Sequence, residues 1–317
     1  MVVLIVGLLA ISTYKPYEEQ EPIKLAISFW AGDSHAFLAQ ELGMFKKNGV
    51  NVQLIYSVDY PDAMIAYQNQ NADGFFSTVT DAIYYDSTAY PSKVVYITDY
   101  SDTADVIVGN IKSLDEMKGK TISVENINSY SHIFVLASLE KYGLTENDVF
   151  FKQIPAHKVA NALIDGTIDA GHTWEPTTTD ALNHGYNTVF SAGEIPGIVT
   201  SALIIDENTL ERRQDDVKNI VKSLVEAQEY RDLHREKALE IMSRAQNVTV
   251  SDLEKGFAGI QTLDLAGNYN AFYNSTEIRE SFDFISNFYL KRGQISQIPK
   301  FDEVMEGRFI KELMNEK

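Results

Sequence analysis

The sequence predicts an α/β protein of two lobes with a helical C-terminal return. Three observations predict it. From Lys24 onward short apolar strands alternate with helical patterns, the mark of α/β layers. That series occurs twice, and each half carries a similar segment: Ala72-Asp-Gly-Phe-Phe-Ser-Thr-Val-Thr-Asp-Ala82 and Asp169-Ala-Gly-His-Thr-Trp-Glu-Pro-Thr-Thr-Thr-Asp-Ala181. Beyond Ile205 the pattern turns mainly helical. A chain of 317 residues is long enough to give each lobe its own core.

The elements follow in order. Val2 to Ile11 is a nearly unbroken apolar run, too short for a bilayer span of roughly twenty residues, and reads as a leader or anchor. Tyr14 to Pro22 then reads as a tether, so residues 1–22 stand apart from the lobes. Leu25, Ile27 and Phe29 alternate along a strand, and a helix from about Ala36 to Leu42 stops at Gly43. Val50 to Tyr56 is a strand, Pro61 opens a helix, and Phe75-Phe76-Ser77 is a buried strand. Val94 to Thr98 and Val106 to Gly109 complete the first half.

The second half has strands at Thr121–Val124, Phe150–Ile154 and Ala170–Thr173, with helices stopped by Gly143 and Gly166 between them. In the tail Val217, Ile220, Val221, Leu224 and Val225 form an amphipathic face. Ser251 and Glu254 have capping-box spacing, and Ile278, Phe282 and Ile285 mark a last helix before Gly293. The expected division is lobe 1 from 23–109 plus 200–317 and lobe 2 from 110–199, with crossings near Gly109 and Val199.

Composition narrows the function. The 45 Asp+Glu against 27 Lys+Arg leave a net charge of −18, which argues against a nucleic-acid binder. With no cysteine, disulfides, thiolate metal sites and cysteine nucleophiles are excluded. The six histidines are scattered without metal-ligand spacing, and neither a phosphate loop nor a nucleophile elbow is present. No cofactor, metal or catalytic residue is expected, although His35, His132 and His172 are placed where they could converge between the lobes.

Several stretches together resemble a known family. They are Ala39-Gln-Glu-Leu-Gly-Met-Phe-Lys-Lys-Asn-Gly-Val50, Asp99-Tyr-Ser-Asp-Thr-Ala-Asp-Val-Ile-Val108 and Ser113-Leu-Asp-Glu-Met-Lys-Gly-Lys120, followed by Gly143 to Val149 and Asp169 to Pro176. In order and spacing the chain resembles the substrate-binding proteins of ABC importers for nitrate, sulfonates, taurine and thiamine-pyrimidine precursors, a group that includes related pyrimidine synthases. The resemblance implies the type II periplasmic-binding-protein fold, a small-molecule solute gripped by hinge closure, and a membrane permease as partner. From the N-terminal apolar run the protein is expected to be extracytoplasmic and tethered by that segment, and it is expected to be a monomer. The alternative that the resemblance leaves open is an enzyme of pyrimidine-precursor metabolism, but the iron-using synthases carry a cysteine-rich segment that this chain lacks.

In open α/β sheets ligands gather beyond the carboxyl ends of strands, and that rule selects the candidate loops. Lobe 1 offers Trp30, Asp33, Ser34, His35, Asp59, Tyr60, Ser77, Thr78, Asp81 and Asp102. Lobe 2 offers Asn128, Ser129, Tyr130, His132, His172, Trp174 and Glu175. The segment Asn128 to His132, at a helix start, suits an anionic group or a simple helix cap. Thr78, Thr80 and Asp81 suit a cap of the following helix better than a ligand contact. The two tryptophans suit stacking on a planar solute. Acids outnumber cations in these loops, so an amino-bearing solute fits better than nitrate.

Overall fold

A computed structural model describes residues 21–88 and 91–316. The leader at Val2 to Ile11, and all but the end of the tether, lie outside the described residues. Among the described residues no helix is long and apolar enough to cross a membrane.

Eleven strands among the described residues form two sheets. In chain order they are β1 (Ile23–Ile27), β2 (Val52–Tyr56), β3 (Gly74–Thr78), β4 (Ser92–Ser101), β5 (Val106–Gly109), β6 (Thr121–Val124), β7 (Phe150–Gln153), β8 (Ala170–Thr173), β9 (Asn187–Ser191), β10 (Thr200–Asp206) and β11 (Ile260–Thr262). The first sheet runs β11-β4-β10-β3-β1-β2 and the second β7-β6-β8-β5-β9. Each contains a parallel trio, which requires helical crossovers. His35–Glu41 and Tyr60–Gln68 supply them in lobe 1, Tyr130–Glu140 and Val159–Ile164 in lobe 2.

The sheets share one plan. In the first, β10 lies antiparallel between β3 and β4; in the second, β5 lies antiparallel between β8 and β9. Each lobe therefore receives its fourth strand from chain that has just left the other. This corrects the expected boundary: Val106–Gly109 pairs with Thr173–Ala170 in the second sheet, and the first crossing falls at Asp102–Asp105 rather than near Gly109. Sequence spacing could not show it, because an apolar four-residue strand carries no mark of the sheet it joins. The two crossings bind each other and the tail: Ala192 N–H donates to Asp105 O at 3.0 Å, and the Asp102 and Thr103 N–H groups both donate to Gly259 O at 2.9 Å. A Cβ on Gly193 would lie 1.8 Å from Oδ1 of the exposed Asp102 side chain and 3.1 Å from Asp102 O, so that side chain would have to swing aside.

The tail helix Gln214–Leu233 buries Val217, Ile220, Val221, Leu224 and Val225, as its periodicity predicts. Each such burial stabilises by roughly 1.5–3 kcal/mol against leaving the side chain in water. Helix Arg235–Gln246 follows, and then Val250–Ala258, whose cap is Thr249; its hydroxyl accepts from Asp252 N–H at 3.1 Å. The expected Ser251/Glu254 box therefore lies inside the helix, two residues past the true cap. Gly43 at φ 67° and Gly293 at φ 66° end their helices in the left-handed region, where glycine is unstrained.

Candidate functional site

The parallel strands of both sheets end at one crevice. Ser28, Phe29 and Trp30 follow β1, Thr78 ends β3, and Trp174 follows β8. The tryptophan rings meet edge to face, 6.2 Å between centroids and 87° between planes. Tyr60 and Tyr130 meet the same way at 5.1 Å and 73°, and Tyr130 lies 6.4 Å from Trp174. Lobe 1 supplies Trp30 and Tyr60, lobe 2 Tyr130 and Trp174, so the aromatic cluster bridges the lobes.

Two spaces flank it. An inner chamber of about 30 Å³ is lined by these four rings, by Asp33 and Asp105, and by the hydroxyl residues Ser28, Ser77, Thr78 and Ser201. Its size suits a group as large as one or two water molecules. An outer cleft of about 410 Å³ shares Phe29, Tyr60 and Trp174 as walls and adds Tyr56, Asp59, Glu125, His157 and Glu175. That volume is in the range of small-molecule sites. Among the described residues, no Lys or Arg lines either space.

Three polar networks surround the chamber. In the first, Thr98 Oγ1 lies 3.0 Å from both Asp33 Oδ1 and Asp99 Oδ2, while Trp30 Nε1–H donates to Asp99 Oδ2 at 2.9 Å. The one Thr98 hydroxyl proton is contested by two carboxyls, an arrangement that favours protonation of one of them. Burial, with the Asp99 charge beside it, holds the Asp33 carboxyl well above the usual range. Burial pushes Asp99 up to about 7.

In the second network Asp81 Oδ2 accepts from Tyr60 OH, from Ser77 Oγ at 2.8 Å and from Thr78 Oγ1 at 2.7 Å. Burial raises this carboxyl too, against those hydrogen bonds. The third network crosses the crevice floor. His172 Nε2 lies 2.9 Å from Asp105 Oδ1, and His172 Nδ1 lies 2.8 Å from Ser131 Oγ, which accepts from Glu125 N–H at 3.1 Å. With Nε2–H donating to Asp105 Oδ1, the Ser131 hydroxyl can donate to Nδ1 or, through its second lone pair, accept from it. This is the Ser–His–Asp order of a hydrolase turned around. The carboxylate lines the chamber, whereas the serine is fully buried and absent from its lining. The second Asp105 oxygen, Oδ2, is buried without a hydrogen-bond partner.

The structure thus brings Trp30, Asp33, Tyr60, Ser77, Thr78, Tyr130 and Trp174 to the chamber, and Asp59 and Glu175 to the outer cleft. Other candidates lie elsewhere. Ser34 donates to Trp30 O at 2.9 Å and accepts from Gln246 Nε2 at 2.8 Å, packing one helix on another. His35 is bound to Gly32 O at 2.7 Å and faces Phe257; burial drops its pKa to about 3. Asp81 sits behind the chamber wall. Asp102 is exposed on the first crossing.

The Asn128–His132 segment makes no hydroxyl cradle. Ser129 Oγ donates back to Asn126 O at 2.7 Å, and Asn128 faces the tail through Tyr289 and Arg292. His132 accepts from Asn128 N–H at 3.1 Å, packs on Phe151, and is lowered by burial to about 4. His35, His132 and His172 therefore do not converge: each serves a different network. Among the described residues no group of three ligands is placed to hold a metal.

Sequence reasoning missed Asp105 as a site residue; it placed Glu125 near the crevice and Asp99 at the start of a candidate loop without naming either as a ligand residue. Asp105 stood within a stretch quoted for the resemblance, but only the strand exchange at the crossing points it inward. The acidity expected of the crevice is also reduced. Asp59 pairs with His157 at 2.8 Å across the cleft, Glu175 accepts from Thr179 Oγ1 at 2.9 Å, and burial pushes Glu125 up to about 8.

The profile described as NMT1/THI5 like matches residues 34–238, well over half of the chain. The chain belongs to the NMT1/THI5-like family. Among curated relatives, a protein of Brucella abortus described as a candidate binding protein is 23% identical over 241 residues, 71% of each chain. Solved structures show the same two-lobed fold. The ligand-binding component of an ABC-type import system from Staphylococcus aureus superposes with a TM-score of 0.75 at 15% identity, over 92% of this chain and 99% of that one. The periplasmic aliphatic sulphonate binding protein SsuA of Escherichia coli gives 0.72 at 14% identity, covering 91% and 99%. The desulfurization enzyme DSZB gives 0.67 at 14%, covering 92% and 99%. This NMT1/THI5-like chain therefore has the fold of periplasmic binding proteins, a fold that also carries chemistry.

Proposed function

We propose that this protein is the extracytoplasmic capture component of an ABC importer. It closes its lobes on a small nitrogen- or sulfur-containing solute and passes it to a membrane permease, acting as a monomer without chemistry of its own. The observation that carries this reading is the pair Trp30 and Trp174, one from each lobe, 6.2 Å apart over a chamber that no Lys or Arg lines among the described residues. Lobe closure of this kind buries a ligand between two surfaces that contribute equally. Within the class, an amino-bearing solute such as an aminopyrimidine or taurine suits carboxylate and aromatic walls better than nitrate, which has no donor to offer.

Binding to the folded state alone raises stability by about 2.7 kcal/mol when ligand is at a hundred times Kd. A thermal-shift screen of an aminopyrimidine, taurine, ethanesulfonate and nitrate is expected to raise the melting temperature by several degrees for at least one amino-bearing member. A flat response to all four overturns the solute class. For the solute that binds, Trp174→Ala is expected to weaken affinity about tenfold or more by calorimetry, with the fold retained. Unchanged affinity removes Trp174 from the site.

A further inference from the structure

Among the described residues, only Asp105 of the acids around the crevice combines a place on the chamber wall with a carboxylate oxygen that has no hydrogen-bond partner. It is 1% exposed, so bulk water does not solvate that oxygen. A buried acceptor left without a partner is destabilising and calls for an explanation, and on the wall of a chamber a bound ligand supplies one. Asp99 Oδ1 and Glu125 Oε2 are also buried without a partner, but neither residue lines the chamber, and the remaining carboxyls are engaged. Asp33 and Asp99 share Thr98, Asp81 holds three hydroxyls, Asp59 holds His157, and Glu175 holds Thr179.

We infer that Asp105 is the residue that pairs with the amino group of the solute, through Oδ2 in the inner chamber, and that His172 and Ser131 are its positioning residues. This rests on the capture function proposed above and names the recognition within it. The chamber of about 30 Å³ has room for an ammonium or amino group, while the body of the solute lies in the cleft of about 410 Å³ beyond Tyr60 and Trp174. The His172 ring fixes the other oxygen: Nε2–H holds Oδ1 at 2.9 Å, and Ser131 holds the ring at 2.8 Å from its far side. A carboxylate tethered by one oxygen presents the other at a fixed point, which lowers the entropic cost of pairing. The face of Tyr130, 5.6 Å from the His172 ring, closes the same side.

Two matched pairs of probes test this on the intact chain by calorimetry: an aminopyrimidine against the same ring without its amino group, and taurine against ethanesulfonate. The amino-bearing member of at least one pair is expected to bind about 10- to 100-fold tighter than its twin, the range of a buried hydrogen bond to a charged group. Asp105→Asn is expected to remove most of that ratio while leaving the twin's affinity within about threefold. For the positioning role, His172→Leu should reduce the ratio and His172→Gln, which can still bridge Ser131 and Asp105, should restore it. Twins that bind parent protein equally overturn the inference without any variant, so a misfolded Asp105→Asn protein does not leave it undecided. A ratio that survives in Asp105→Asn overturns it as well. If none of the four probes binds, the proposed solute class fails first and the inference with it; if they bind without amino preference, only the inference falls.

Discussion

The duplicated segments, Ala72–Ala82 in lobe 1 and Asp169–Ala181 in lobe 2, show one local design put to two uses. Each runs from a buried strand through a threonine-rich turn into a short helix, Val79–Asp86 or Thr177–Asn183. Asp81 and Asp180 hold matching places before an alanine. Yet Asp81 is fully enclosed and gathers the hydroxyls of Tyr60, Ser77 and Thr78, whereas Asp180 is exposed and pairs with His184 at 3.4 Å. The difference is made by Tyr60, which comes from another helix and covers the turn in lobe 1. The same residues in the same local structure thus have a structural carboxyl in one lobe and a solvated one in the other.

That contrast can be broken or sharpened by experiment. The largest expected effect is on pH dependence, because lobe 1 concentrates buried carboxyls. Asp99 sits near 7 in the folded protein and near 3.8 when unfolded, so between those values the folded state binds the extra proton. Its contribution to stability is then full below about pH 4 and is lost as pH rises through 7, by up to roughly 4 kcal/mol. Urea denaturation of the parent and Asp99→Asn at pH 4 to 8 should show the parent losing stability relative to the variant as pH rises. Parallel curves would sink this.

Asp81→Ala should come next, costing roughly 3 kcal/mol, because three buried hydroxyls lose their acceptor. Tyr60→Phe should cost about 1–2 kcal/mol, since it removes one donor and keeps the ring against Tyr130. If Tyr60→Phe costs as much as Asp81→Ala, the covering residue contributes more than its hydrogen bond. Asp180→Ala should change stability by no more than about 0.5 kcal/mol, as expected of an exposed group. Equal losses at positions 81 and 180 would mean that the two turns are equivalent after all.

Much of the fold was legible because its signals are local. The strand centres, the glycine helix stops at 43, 143, 166 and 293, and the apolar face of Gln214–Leu233 all follow from patterns of a few residues. Part of the site was legible for the same reason: strand ends predict loops, and Trp30 and Trp174 stood in matching loops of the two series. What local pattern could not give was which candidates turn inward. His35 and Ser34 belong to the same loop as Trp30, but packing against Phe257 and Gln246 takes them away from the chamber. Ser129 and Asn128 were consumed by bonds to Asn126 and to the tail, partners that no spacing rule identifies.

By itself, then, the sequence determined the two α/β series, their helical return and the aromatic loops at the strand ends, because periodicity and turn chemistry act over neighbouring residues. Only the tertiary structure decided that β5 and β10 change places between the lobes, pairing strands whose partners lie dozens of residues away. That exchange sets the crossing at Asp102–Asp105, leaves Asp102 in solvent and turns Asp105 onto His172 at the chamber wall. Hydrogen-bond partners this distant in sequence are chosen by sheet order and burial.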